Sequence, residues 1–399
     1  MKLVSVVGAR PQFVKAAVVS RAVREHNATV GTENIPISEV ILHTGQHFDD
    51  AMSKVFFDQL GMPEPDYNLD INQTTHGAMT GRMLCEIEKV LMKEQPDWVL
   101  VHGDTNSALA GALAAAKLHI PLAHVEAGLR SFNTRMPEEV NRILTDRIST
   151  LLFCPTIAAI RHLERESFCK ILNDGKLVDE NEGPVNLTLT ADSAIAVNVG
   201  DVMYDSAKFN LTRAEKESDI LKDLDLIDVG EIKSFYLATV HRSENTDDLE
   251  RLKGIVEALG ELSESVQVVW PIHPRTKAKM AELDPALSSC WTQLMIVDPL
   301  PYLDMILLEK SARLILTDSG GIQKEAFFFR TPCITLRDET EWTELVDMGV
   351  NVVVGVDKQD IVQATEQFAG KQLVFPEGHY GKGTAGKSIV RFLNQLQGH

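Results

Sequence analysis

Short β-branched runs that end in Gly, Asp or His recur along this chain, each followed by a stretch with the apolar spacing of an amphipathic helix. Leu3–Val7, Val40–His43, Trp98–His102, Leu122–Glu126 and Leu151–Cys154 read as strands. Phe13–Arg24, Gly77–Lys93, Ser107–Leu118 and Pro137–Ile148 read as the helices between them. Such alternation builds a parallel sheet with helices on both faces, because parallel neighbours need a crossover connection. A second series starts near Ala196, with strands at Ala196–Val199, Phe235–Val240, Val266–Ile272, Met295–Val297, Ala312–Leu316, Cys333–Leu336 and Val350–Val354. Helices Asp248–Leu262 and Gly320–Phe328 fit between them.

The expected fold is therefore α/β, with two successive doubly wound, Rossmann-like domains. Residues 1–195 form the first and 196–375 the second; 376–399 form a C-terminal helix packing back on the first. Lys170–Ser193 breaks the rhythm and reads as an insertion, with a hairpin around Asn181–Pro184. A length of 399 residues suits two or three domains. The formal net charge of -18 argues against nucleic acid or an acidic membrane as partner, since a phosphate-binding surface is basic. Five cysteines, an odd count without a CxxC pair, fit a reducing cytoplasm better than a disulfide framework or a zinc site. The apolar run in MKLVSVVGARPQ is too short for a signal peptide, and no segment nears the roughly 20 apolar residues of a membrane span.

In doubly wound sheets, ligands bind beyond the carboxyl ends of the strands. Nearly all of six polar clusters fall there. Gly8-Ala9-Arg10-Pro11-Gln12, with Lys15, combines a tight turn, a helix start and two cations, which suits a phosphate. It lacks the GxGxxG pattern of a dinucleotide site. Asp104 ends one apolar strand, where it or Thr105 can cap the next helix. Glu126 ends another; an acid there is costly to desolvate unless partnered, either by Arg130 in a structural pair or by a role in proton transfer. Glu138 follows Pro137 at a helix start, a position acids favour in any case. His241 and Arg242 end the first strong strand of the second series, and His273 a neighbouring one. Ser319-Gly320-Gly321 opens a helix with free N–H groups and no Cβ obstruction, a cradle for pyrophosphate. Glu325 lies near its second turn, placed to accept hydrogen bonds from a ribose diol.

Taken in order, GARPQFVK, HTGQH, HGDTNS, HVEAGLR, MPEEVNR, VGDVMYDS, TVHRSEN and LTDSGGIQKEA resemble the UDP-N-acetylglucosamine 2-epimerase family of glycosyltransferase-B architecture over nearly the whole chain. The resemblance implies an active site in the interdomain cleft and epimerisation at C2 of a UDP-linked N-acetylamino sugar. UDP leaves by anti elimination, a 2-acetamidoglucal forms, and UDP adds back. Asp104, Glu126 and Glu138 match the family's acid/base carboxylates, and His241 the histidine near the phosphates. Arg10, Lys15, Ser319, Gly320, Gly321 and Glu325 match UDP-binding positions; Arg130, Arg242 and His273 complete the expected substrate contacts, and Leu300–Leu303 lies where the family holds uracil. Neither a metal nor another cofactor is implied, and a homodimer is expected. The alternatives are a hydrolysing epimerase, which releases UDP and free sugar, and a glycosyltransferase of the same fold.

Two departures stand out. Leu69–His76 carries no Arg or Lys, so the second sugar-nucleotide site of substrate-regulated members is not expected, although Gln46 and His47 are present. Thr340-Glu341-Trp342-Thr343-Glu344 stands where members specific for UDP-N-acetylglucosamine commonly carry Thr-Glu-Arg-Pro-Glu. That variant is similar to relatives acting on diacetamido uronic acids or deoxy-amino sugars.

Overall fold

A computed structural model describes residues 1–29, 36–46, 57, 60–72, 75–178, 194–284 and 287–396. His47 and the hairpin expected around Asn181–Pro184 lie outside the described residues. The chain divides into two compact units, Met1–Ser206 together with the stretch from Gly378, and Ala207–Glu377.

The first unit is built on an eight-stranded sheet. Its strands are β1 (Lys2–Val7), β2 (Ser38–His43), β3 (Tyr67–Asn68), β4 (Trp98–His102), β5 (Leu122–Val125), β6 (Leu151–Cys154), β7 (Cys169–Ile171) and β8 (Ala194–Asn198). Their order is β3-β2-β1-β4-β5-β6-β8-β7, with every pairing parallel. Alternate residues supply two cores. Leu3, Trp98, Leu100, Val125 and Phe153 face one side, and Val4, Val6, Val99 and Val101 the other. Burial on both faces explains why these strands read as continuous apolar runs. Helix Asn106–Lys117 is rich in Ala and packs close: a Cβ on Gly111 would lie 3.1 Å from Val101 Cγ1 and 3.2 Å from Val6 Cγ2.

Contrary to expectation, the strand near Ala196 does not open the second sheet. Ala194–Asn198 pairs with β6, Leu151 opposite Ile195, and three-residue β7 adds to its outer edge. An apolar strand carries no mark of which sheet it joins; here Val197 completes the core around Phe153. Helix Ala385–Gln395 covers that core, with Phe392 edge-on to Phe153 at 6.2 Å. Gly386 lets it approach Val18 on helix Arg10–Thr29, and its N–H donates to Asp205 at 2.9 Å.

The second unit holds a two-stranded antiparallel ribbon, β9 (Ile227–Asp228) with β10 (Glu231–Ile232), and a six-stranded parallel sheet. The latter comprises β11 (Phe235–Thr239), β12 (Gln267–Pro271), β13 (Met295–Val297), β14 (Leu314–Thr317), β15 (Cys333–Thr335) and β16 (Asn351–Val353), in order β13-β12-β11-β14-β15-β16. Its first strand lies beside its fourth, as does β1 beside β4 in the first unit. Each sheet therefore reverses its winding between its first and fourth strands, and ligands in such folds gather at that reversal.

Candidate active site

In the first unit the reversal lies between β1 and β4. The turn after β1 is tied to β4 by Gln12: its Oε1 accepts from the N–H groups of Gly8 (2.8 Å) and Ala9 (3.0 Å), and its Nε2 donates to the His102 carbonyl (2.7 Å). Gly8 is required, because a Cβ would overlap the hydroxyls of Thr44 and Ser107. Lys15, one turn into the helix, reaches back to β4 and forms an ion pair with Glu126; both side chains are about one-tenth exposed. The pair passes over Gly103, whose φ is +62°: a Cβ there would stand 3.0 Å from Lys15 Nζ and 3.1 Å from Glu126 Oε2. Burial opposes the charge on Lys15, but Glu126 and Asp104 outweigh it, and its pKa is raised. The desolvation expected at Glu126 is thus met by an ammonium 111 residues away in sequence, not by Arg130.

Glu126 lies one residue beyond its strand at φ +72°, a left-handed conformation that costs a non-Gly residue about 1–2 kcal/mol. Its N–H and that of Ala127 both donate to the Phe153 carbonyl, at 3.0 and 3.1 Å. Beneath lies fully buried His124, with Nδ1 2.7 Å from Asp146 and Nε2 2.8 Å from the Gly103 carbonyl. Asp104 pairs with Arg142, which also donates to Glu139 at 2.9 Å, and Asn141 donates to the Asp104 carbonyl at 3.0 Å. Thr105 caps the following helix, accepting from Ala108 at 3.3 Å, so Asp104 is spared that role.

Asp104, Glu126 and Lys15 are thereby brought together. Arg10 and Glu138 are exposed; Glu138 sits on the first turn of helix Pro137–Ile148, which the Arg142 and Asn141 contacts anchor to Asp104. Arg130 departs from the expectation of a substrate contact: its guanidinium is buried against Asp146 (2.7 Å) and Glu166 (2.7 Å).

In the second unit the reversal lies between β11 and β14, whose ends are joined by Thr239 Oγ1 and Thr317 Oγ1 at 2.6 Å. Asp318, fully buried, organises the two turns that leave these strands. It accepts from the N–H groups of His241 (3.1 Å) and Arg242 (3.0 Å) and from Asn245 Nδ2 (3.1 Å), and lies 3.4 Å from His241 Nδ1. Ser319 caps helix Gly320–Phe329, accepting from Ile322 at 3.5 Å. Glu325, buried on that helix, accepts from the Tyr302 hydroxyl at 2.8 Å. Burial lifts the Glu325 pKa to about 7, against the pull of Tyr302 and Lys324. Tyr302 belongs to the stretch implied for uracil. His273 is exposed and caps its own helix, accepting from Arg275 at 3.2 Å.

Asp318, Arg142 and His124 are the organising residues that sequence reasoning left without a role. For Asp318 a signal existed: a charged residue between an apolar strand and a glycine-rich helix start must find donors nearby.

A family model described as UDP-N-acetylglucosamine 2-epimerase matches residues 31–394. The chain is 50% identical to the UDP-2,3-diacetamido-2,3-dideoxy-D-glucuronate 2-epimerase of Pseudomonas aeruginosa, over 99% of this chain and 100% of that protein. It is 44% identical to a UDP-N-acetylglucosamine 2-epimerase homolog of Methanococcus maripaludis, with coverage of 99% and 100%. Among solved structures it resembles the Methanocaldococcus jannaschii UDP-GlcNAc 2-epimerase in complex with UDP-GlcNAc and UDP, with a TM-score of 0.74, 42% identity, and coverage of 99% of this chain and 100% of that one. With a match along nearly its full length and carboxylates and a glycine-rich helix start at the sheet reversals, the chain belongs to the UDP-N-acetylglucosamine 2-epimerase family.

Proposed function

We propose that this protein epimerises C2 of a UDP-linked N-acetylamino sugar by eliminating and re-adding UDP. The observation that carries the reading is the buried Lys15–Glu126 pair above Gly103, with Asp104 alongside, in a chain of this family. The C2 proton is weakly acidic, so its removal needs a positioned carboxylate, and the opposite face needs a second acid. Glu126, Asp104 and Glu138 are assigned those proton transfers. The electron pair of the C2–H bond forms the C1–C2 double bond, and the C1–O pair leaves with UDP. Re-addition reverses both changes with the proton delivered to the other face, so no water is consumed.

Charge that builds on the leaving pyrophosphate is assigned to Arg10, Lys15, His241, Arg242 and the helix start at Ser319-Gly320-Gly321. Glu325 is assigned to the ribose. The Pseudomonas relative, together with Trp342, supports a 2,3-diacetamido uronate as a substrate candidate beside N-acetylglucosamine. We infer a homodimer from the exposed Met136, Val140 and Leu144, spaced along one helix face. A cytoplasmic location agrees with five free thiols.

Proton NMR in D2O tests the reaction. With either UDP-sugar, deuterium should enter C2 while UDP stays attached, and Glu126→Gln should lower the rate by about 10²-fold or more. Free UDP with free sugar as the main products would favour the hydrolysing alternative. No exchange at C2 with either sugar would sink the epimerase reading.

A further inference from the structure

The helix start at Gly320 already has an anion against it. The space that a Cβ on Gly320 would fill is taken by Glu341 Oε1, with Arg242 Nη2 3.6 Å from the same point. Arg242 Nη2 also lies 3.7 Å from Glu341 Oε1 itself. The other carboxylate oxygen accepts from Arg337 Nη1 at 2.7 Å, and Arg337 Nε donates to Glu244 at 3.2 Å. The chain on either side of Glu341 is fixed to the same helix. Thr340 Oγ1 lies 2.6 Å from Gln323 Oε1, to which it donates, and the Trp342 indole donates to the Gly320 carbonyl at 2.8 Å. Lys324 covers the Trp342 ring at 4.6 Å. The carboxylate, by contrast, is 40% exposed, so its rotamer can change while its backbone stays in place.

We propose that Glu341 is the resident counter-anion of the nucleotide cradle, which the substrate's pyrophosphate displaces. The inference rests on the assignment of Ser319-Gly320-Gly321 to UDP. The first N–H groups of a helix lack intrahelical acceptors and carry partial positive charge, so a carboxylate and a phosphate compete for them. Arg242 sits within reach of both. On arrival of UDP, Glu341 turns outward and keeps Arg337, while Arg242 is released to the phosphates. When UDP leaves, the carboxylate returns, so the cradle is not left as an uncompensated positive site. Glu341 therefore lowers nucleotide affinity by competition and speeds nucleotide release.

Calorimetric titration of the full chain with UDP and with uridine tests this. Glu341→Gln should bind UDP about fivefold tighter, the size expected when one partly exposed ion pair no longer competes. Uridine, which lacks phosphate, should bind both proteins alike. Glu341→Asp, which withdraws the carboxylate by one methylene, should also tighten UDP binding, by less, and decides the matter if Glu341→Gln does not fold. UDP affinity that is unchanged or weaker in the folded variants would overturn the proposal and leave the UDP assignment standing. An equal gain for uridine would overturn it as well, since the effect would not lie at the phosphates. Failure of the wild-type chain to bind UDP would overturn the assignment, and the proposal with it.

Discussion

Glu126 and Glu325 are both little-exposed carboxyls with different partners. Glu126 has an ammonium partner in Lys15. Glu325 has a phenol donor in Tyr302 and a neighbouring Lys324, and burial still holds its pKa at about 7. In the role proposed for it at the ribose, its ionised form is the one that would accept from two hydroxyls. UDP affinity should therefore rise between about pH 6 and pH 8, either side of that pKa, and Glu325→Gln should flatten the rise; a pH response equal in both proteins would remove Glu325 from the ribose. The Lys15–Glu126 pair was not legible in the sequence. Arg130, four residues from Glu126, is one of the partners the sequence offers, but the left-handed turn at Glu126 directs the side chain toward Gly103, and Arg130 falls to Asp146.

The turns after β4 and β14 hold Asp104 and the Ser319-Gly320-Gly321 helix start, and the sequence marks both. Apolar strands that stop at His-Gly-Asp or Thr-Asp-Ser-Gly-Gly announce a chain leaving a sheet and starting a helix. Thr105 and Ser319 occupy the cap positions that such a pattern suggests. What the pattern does not reveal is the neighbour across the turn. Gly103 needs both its positive φ and its missing Cβ, so Gly103→Ala should destabilise the first unit by about 1–2 kcal/mol and displace the Lys15–Glu126 pair. Urea denaturation should register the loss of stability, and C2 exchange should fall with it. Normal stability and exchange would mean that the turn relaxes freely.

At the scale of the molecule, the α/β class and the pair of Rossmann-like sheets follow from the alternating strand and helix periods. The allegiance of Ala194–Asn198 did not, since burial on both faces gives every inner strand the same appearance. The fold also tolerates an expensive group. Glu309 is almost fully buried in helix Tyr302–Ser311, and its Oε2 has no hydrogen-bond partner among the described residues. Burial first, and then the charge of Glu325, push its pKa well above the usual carboxyl range. The folded protein thus binds this proton more tightly than the unfolded chain does. That contribution is present in full below the unfolded pKa of about 4.5 and is lost progressively as pH rises above it. Glu309→Gln should raise the melting temperature more at about pH 8 than at about pH 5, and an effect independent of pH would contradict the assignment.

Helix Ala385–Gln395 belongs to the first unit, so the whole of Ala207–Glu377 is spliced into that unit between its last strand and its covering helix. On the ribosome this reverses the usual order, in which the N-terminal part matures first. The second unit can fold as soon as it emerges. The first still lacks helix Ala385–Gln395, and with it the edge-on partner of Phe153, until the residues after Glu377 emerge. During synthesis the unit that carries Asp104 and Glu126 is completed last, and the unit that carries the glycine-rich helix start is complete before it.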